Sequence, residues 1–138
     1  HRETIVRSLD FIDEVGIQQM AAIQYFHAQD RIRDTVVGIA AGMALNGPGA
    51  NLGLQIVAFA NADDGVKVSC RGTRELVARG LDLAAVMRDA AKAVGGQGGG
   101  HHVAAGATIP AGKEEEFLVI VDRMVGEQLG LTLGFSNA

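Results

Sequence analysis

The sequence predicts a single α/β domain in which helices pack on a mixed β-sheet. Three observations lead there. A length of 138 residues suits one hydrophobic core. Apolar residues make up 48% of the chain but aromatic ones only 4%, so that core is built from Val, Ile, Leu, Ala and Met around many glycines. Finally, short β-branched runs alternate with helical patterns, without internal repeats or low-complexity linkers.

Along the chain, Ile5, Leu9, Ile12, Val15, Ile17, Met20, Ile23 and Phe26 recur mostly at three- and four-residue spacings, which predicts an amphipathic helix over residues 3–29, with Gly16 as an interruption. The run TVVGIAA, residues 35–41, reads as a buried strand, followed by a helical turn at residues 42–45 and the NGPGAN loop. Residues 54–60 and 66–71 read as two more strands. Asp64-Gly65 between them supplies the left-handed conformations of a tight antiparallel hairpin. The two-residue period puts Val66, Val68 and Cys70 on a core face and Lys67, Ser69 and Arg71 on a polar one. Residues 81–94 are alanine-rich, with Asp82 as a cap and Gly95-Gly96 as a stop, which predicts a helix. A strand ends at Ile109, before Pro110. A last helix covers residues 113–129, its three glutamates in the first turns where the helix dipole favours negative charge.

Charge and composition narrow the function. The net charge of −4 argues against a broad cationic surface for long nucleic acid but leaves room for a local phosphate site. Arg71, Arg74 and Arg79 place that site in the middle of the chain. One cysteine rules out an internal disulfide. Neither a signal peptide nor a long apolar span is visible, and the expected location is cytoplasmic, with no membrane partner. The chain opens at His1 in helical pattern, as a piece of a longer protein would.

Two segments carry candidate chemistry. The first, VGGQGGGHHVAAGATIP over residues 94–110, removes Cβ atoms at Gly98, Gly99 and Gly100 and then offers His101 and His102 as donors to a phosphate oxygen. It follows a helix rather than a strand and lacks the Gly-Lys-Ser/Thr ending of a P-loop. On the residues alone, a tight structural loop and a ligand loop both stay open. Adjacent His101 and His102 diverge and have no Cys or acidic partners at zinc spacing, so no metal site is expected in this chain. The second segment is SCRGTRE, residues 69–75, where Ser69 and Arg71 share a face and an Arg fork can hold two phosphate oxygens. Cys70 alternates toward the core and reads as a small buried hydrophobe, not a nucleophile. Together the two segments describe an anion site.

The succession KVSCRGTRELV, an alanine-rich helix, GGQGGGHHVAAGATIP and KEEEF resembles the DHH-associated substrate-binding domain of the first subtype, in its form in archaeal RecJ-like phosphoesterases. The likeness spans about residues 34–129, and GGGH followed by AAG is its most specific element. It implies three parts: residues 1–33 a helical segment leading from a catalytic domain, 34–130 the substrate-binding domain, and 131–138 a tail. It further implies a DHH domain across a cleft, whose aspartates and histidines hold Mn or Mg and activate water for phosphodiester cleavage. By position, Gly98, Gly99, Gly100 and His101 would touch a terminal nucleotide or its phosphate, Ser69 and Arg71 would help hold it, and His102 would support. His101 would assist catalysis without being catalytic itself.

The related domain of alanyl-tRNA synthetases typically carries Arg-Pro-Asp after the glycine run, where this chain has His101, His102 and Val103. No Asp-His-His triplet occurs, so the chain is expected to be inactive without its DHH domain. Expected partners are that domain and single-stranded DNA or RNA or a short oligonucleotide. Two alternatives stand beside this: a phosphodiesterase of small nucleotides, and an interaction module that docks to replication or repair proteins through the first helix.

Overall fold

At the centre of the molecule lies the hairpin signalled by Asp64-Gly65. The computed structural model describes residues 10–131. Six strands form one mixed sheet: β1 (Gln18–Gln19), β2 (Ile23–His27), β3 (Gln55–Ala62), β4 (Gly65–Arg71), β5 (Gln97–Gly100) and β6 (Ala104–Ile109), in the spatial order β1-β2-β3-β4-β6-β5. Only β2 and β3 run parallel; the other neighbours are antiparallel. Helix α1 covers residues 10–15, followed by α2 (Val37–Leu45), α3 (Arg74–Ala78), α4 (Leu83–Ala93) and α5 (Glu114–Gln128).

Each face of the sheet has its own core. On one side Val57, Phe59, Val66, Val68 and Cys70 pack under Leu83, Met87 and Ala90 of α4 and Phe117, Val121 and Val125 of α5. On the other, Phe26, Ile56, Ala58 and Ala60 pack against Val37, Ala40, Ala41 and Ala44 of α2 and Phe11 and Ile12 of α1. The mixed sheet with helices packed on it is therefore as the sequence predicts. So are the β3–β4 hairpin, with Gly65 at φ +136°, and the Asp82 cap, whose Oδ1 accepts from the Ala85 amide at 3.3 Å.

Three local expectations are corrected. The helix predicted over residues 3–29 ends by residue 15; residues 3–9 lie outside the described part, and Gln18–Gln19 and Ile23–His27 are strands. The sheet thus already begins upstream of Asp34. β2 is covered on both faces, so its apolar residues do not alternate with polar ones and mimic a helical spacing. The strand predicted at 35–41 is instead the start of α2, because only its first residues are β-branched and its remainder is small-residue helix. The glycine cluster is not a loop but strand β5, paired to β6 from Gln97–Thr108 to Gly100–Ala105. The tail at 132–138 lies outside the described residues.

Among the described residues, no helix is long and apolar enough to cross a membrane.

Candidate functional site

Strand β4 carries the polar row, and its neighbours extend it. Register aligns Arg71 with Ala104, Ser69 with Gly106 and Lys67 with Thr108, and β5 adds Gly99 beside Gly106 and Gln97 beside Thr108. Directly opposed residues in antiparallel strands share a face. The result is a three-row surface of basic, hydroxyl and glycine positions. Beyond Gly100, the His101 amide donates to the Ala104 carbonyl at 2.8 Å, which places exposed His101 in line with Ala104 and Arg71.

Coverage by helices is unequal, and this opens the site. Helix α4 packs under β5 and β6, burying Ala105, Ala107 and Ile109, while Ala104, Gly106 and Thr108 on the opposite face stay half-buried. On that opposite face α2 lies over β3 and β4. Two shallow depressions remain there. One, of about 400 Å³, is lined by Lys67, Gln97, Gly99, Gly106 and Thr108 among others; the second, of about 610 Å³, lies along Arg71, Gly38, Ile39, Gly42 and Met43. Ser69 stands between Lys67 and Arg71 on β4 and is 5% exposed. Ile39 and Met43, one turn apart on α2, remain 53% and 45% exposed and form an apolar wall.

Arg71 directs its charge into this groove. Its Nη1 donates to the Cys70 carbonyl at 2.8 Å, and no carboxylate pairs with it among the described residues. A half-buried guanidinium whose remaining donors find no partner among the described residues is suited to an anion. Arg74 and Arg79 are exposed on α3 and its C-cap, away from the polar row of β4.

The structure divides the predicted glycine-histidine set. Gly99 faces the open side, where a Cβ would meet nothing within 4 Å. Gly98 faces α4, and a Cβ there would stand 2.7 Å from the Met87 carbonyl, so glycine lets the helix approach β5 closely. Gly100 shares the row of Ala105 and Cys70 and takes φ +142° as the strand turns. His102 departs toward α4: its carbonyl accepts from the Leu83 amide at 2.9 Å, and its Nε2 lies 4.0 Å from Asp82 Oδ2. Ser69, Arg71 and Gly99 thus share one face, with His101 in register at its edge; Gly98 lines the Lys67 depression through its backbone alone, and His102 lies apart.

Sequence reasoning missed Gly38 and Ile39, because residues 35–41 read as strand, and Met43, because residues 42–45 read only as a helical turn before the loop. The spacing of Gly38 and Gly42 by four residues was the available signal, a small-residue stripe on one helix face.

The model of the DHHA1 domain matches residues 18–127. The chain belongs to the DHHA1 domain family. Among curated proteins, this DHHA1 domain is 36% identical over 118 residues to Uncharacterized protein MJ0831 of Methanocaldococcus jannaschii, covering 86% of the chain but 25% of that protein. The chain therefore spans about a quarter of the length of its relative. Three solved structures are similar in fold. RecJ of Thermus thermophilus, in complex with Mg2+, has a TM-score of 0.64 at 16% identity, over 91% of this chain and 18% of that one. The C-Ala domain of Aquifex aeolicus alanyl-tRNA synthetase gives 0.59 at 14%, over 83% and 98%. The pGpG-specific phosphodiesterase PggH of Vibrio cholerae gives 0.60 at 10%, over 92% and 40%.

The RecJ structure is a complex with Mg2+. The described residues of this chain hold no group of three or more His, Cys, Asp or Glu placed to bind a metal ion, and the groove presents cationic and hydroxyl donors, which do not fit a metal.

Proposed function

We propose that this DHHA1 domain is the substrate-holding half of a metal-dependent phosphoesterase of the RecJ-like type, and that its open sheet face binds the phosphate of a terminal nucleotide. The observation that carries the reading is the row of Arg71 with His101, next to Ser69 and the bare floor of Gly99 and Gly106. Arg71 supplies a two-pronged donor, Ser69 and His101 further donors, and the two glycines let a phosphate approach the backbone. The apolar wall of Ile39 and Met43 fits the sugar or base attached to that phosphate, which favours a nucleotide over a free anion. Gly98, Gly100 and His102 shape the β5–β6 turn and support the others.

In this reading the Mn or Mg ions belong to a DHH domain elsewhere in the longer protein. The domain described here binds and orients and does not hydrolyse by itself. The substrate is a single-stranded DNA or RNA end, or a short oligonucleotide. A small-nucleotide phosphodiesterase is the closest second reading, favoured by the shallow groove, which accommodates about one nucleotide.

The test is a manganese-dependent hydrolysis assay on single-stranded DNA, single-stranded RNA and a dinucleotide, run on the 138-residue chain and on a longer protein that joins it to its DHH domain. Activity is expected only in the longer protein, with Arg71→Ala and His101→Ala raising KM or lowering kcat at least about tenfold, as loss of a charge-assisted contact does. Hydrolysis by the chain alone, or full activity in both variants, would contradict the reading.

A further inference from the structure

We propose that Gly38 is a positioning residue, kept without a side chain so that the Arg71 guanidinium can lie across α2 into the groove. The inference rests on the reading of this face as a phosphate site. It starts from an anomaly of sequence: glycine is a poor helix former, yet Gly38 sits in α2 with no positive φ to require it. Packing supplies the reason. A Cβ on Gly38 would stand 2.7 Å from Arg71 Nη2, 3.2 Å from Ser69 Oγ and 3.7 Å from Arg71 Cζ. Those nearest neighbours all belong to side chains of the candidate site, and none is a backbone atom. An added methyl would therefore displace the guanidinium, the movable end of a long side chain, sooner than it would displace the fold.

Arg71 is held from the other side by its own strand, through Nη1 on the Cys70 carbonyl at 2.8 Å. The guanidinium thus rests between a carbonyl of β4 and the empty position at Gly38, and its orientation depends on both. Gly42, one turn further along, provides a matched comparison. A Cβ there would lie 4.0 Å from Arg71 Cγ, an ordinary contact that leaves the charged head where it is.

The experiment measures Tm and the Kd for a fluorescein-labelled, 5′-phosphorylated pentathymidylate by anisotropy, on the 138-residue chain and its variants. Gly38→Ala is expected to keep or raise Tm while weakening binding about fivefold or more. Gly42→Ala, also on the groove, is expected to raise Tm and to weaken binding clearly less than Gly38→Ala does, because it leaves the guanidinium in place. Arg71→Ala should weaken binding about tenfold, and in that background the effect of Gly38→Ala should shrink to a small remainder carried by Ser69 Oγ, since its closest clash is with the guanidinium. Wild-type affinity in Gly38→Ala, with binding lost in Arg71→Ala, would overturn the positioning role and leave the phosphate site standing. A fall in Tm that accompanies weaker binding, or an undiminished effect of Gly38→Ala in the Arg71→Ala background, would likewise overturn it. If the wild-type chain fails to bind, or Arg71→Ala binds as the wild type does, the phosphate reading itself falls.

Discussion

Cys70 and its neighbours on β4 show how one strand serves two purposes at the scale of single residues. Arg71 lines the groove and Ser69 sits beside it beneath α2, while Cys70 between them is fully enclosed on the opposite face. Burial pushes its thiol up to about 12, against the opposing pull of the Arg71 charge. Iodoacetamide should therefore label the native chain only as fast as the chain opens, and labelling by mass spectrometry checks this. Rapid stoichiometric modification in native buffer would contradict the burial and reopen a role for the thiol. The two-residue period foretold this division of faces, since alternation is a property of the strand itself. The division of the glycine-histidine set was not foretold. Which of Gly98 and Gly99 faces solvent depends on the register of β5 against β6, and register is set by pairing at a distance in sequence.

At the scale of elements, the side chains that join the strands to the helices tie the sheet together. His27 at the end of β2 accepts from the Gln29 amide through Nδ1, so its Nε2 carries the proton donated to Glu114 Oε2 at 2.9 Å, in the first turn of α5. Burial works to raise the Glu114 carboxyl, but hydrogen bonds from His27, from its own amide and from the Gly112 amide outweigh it and hold the group below its ordinary 4.5. A depressed native pKa means that the contribution is whole above the unfolded value and is lost as pH falls through the native one. Glu114→Gln should cost about 0.5–1 kcal/mol near neutrality, the range of a partly screened pair, and should flatten the loss of stability on the acid side. Urea unfolding across pH measures both; an acid limb identical to wild type would contradict the assignment.

The same elements explain what the sequence made legible. The β3–β4 hairpin and helices α4 and α5 announce themselves, because turn chemistry, caps and one-sided burial are local. Strand β2 and helix α2 do not. Strand β2 is buried on both sides, and α2 carries small residues because it approaches β4 closely. Their patterns thus report tertiary contact and not local conformation.

Over the whole molecule, the unequal covering of the sheet leaves one face open. Helices α4 and α5 protect one face, while α2 stops over β4 and leaves β6 and β5 bare beside Arg71. With a net charge of −4 and few cations on the open face, salt should weaken phosphate binding there only modestly. With Arg71 and Lys67 as the open face's permanent charges, the slope of log K against log salt should be roughly −1.4 for a single strand.

The most direct test of the central claim is an amide and Arg Nε chemical-shift titration of the 138-residue chain with 5′-phosphorylated pentathymidylate. Perturbations are expected at Gly99, His101, Gly106 and the Arg71 side chain, with α5 and the α4 side of the sheet unmoved. Perturbations confined to α4 and α5, or none at millimolar ligand, would show that the open face is not the binding site.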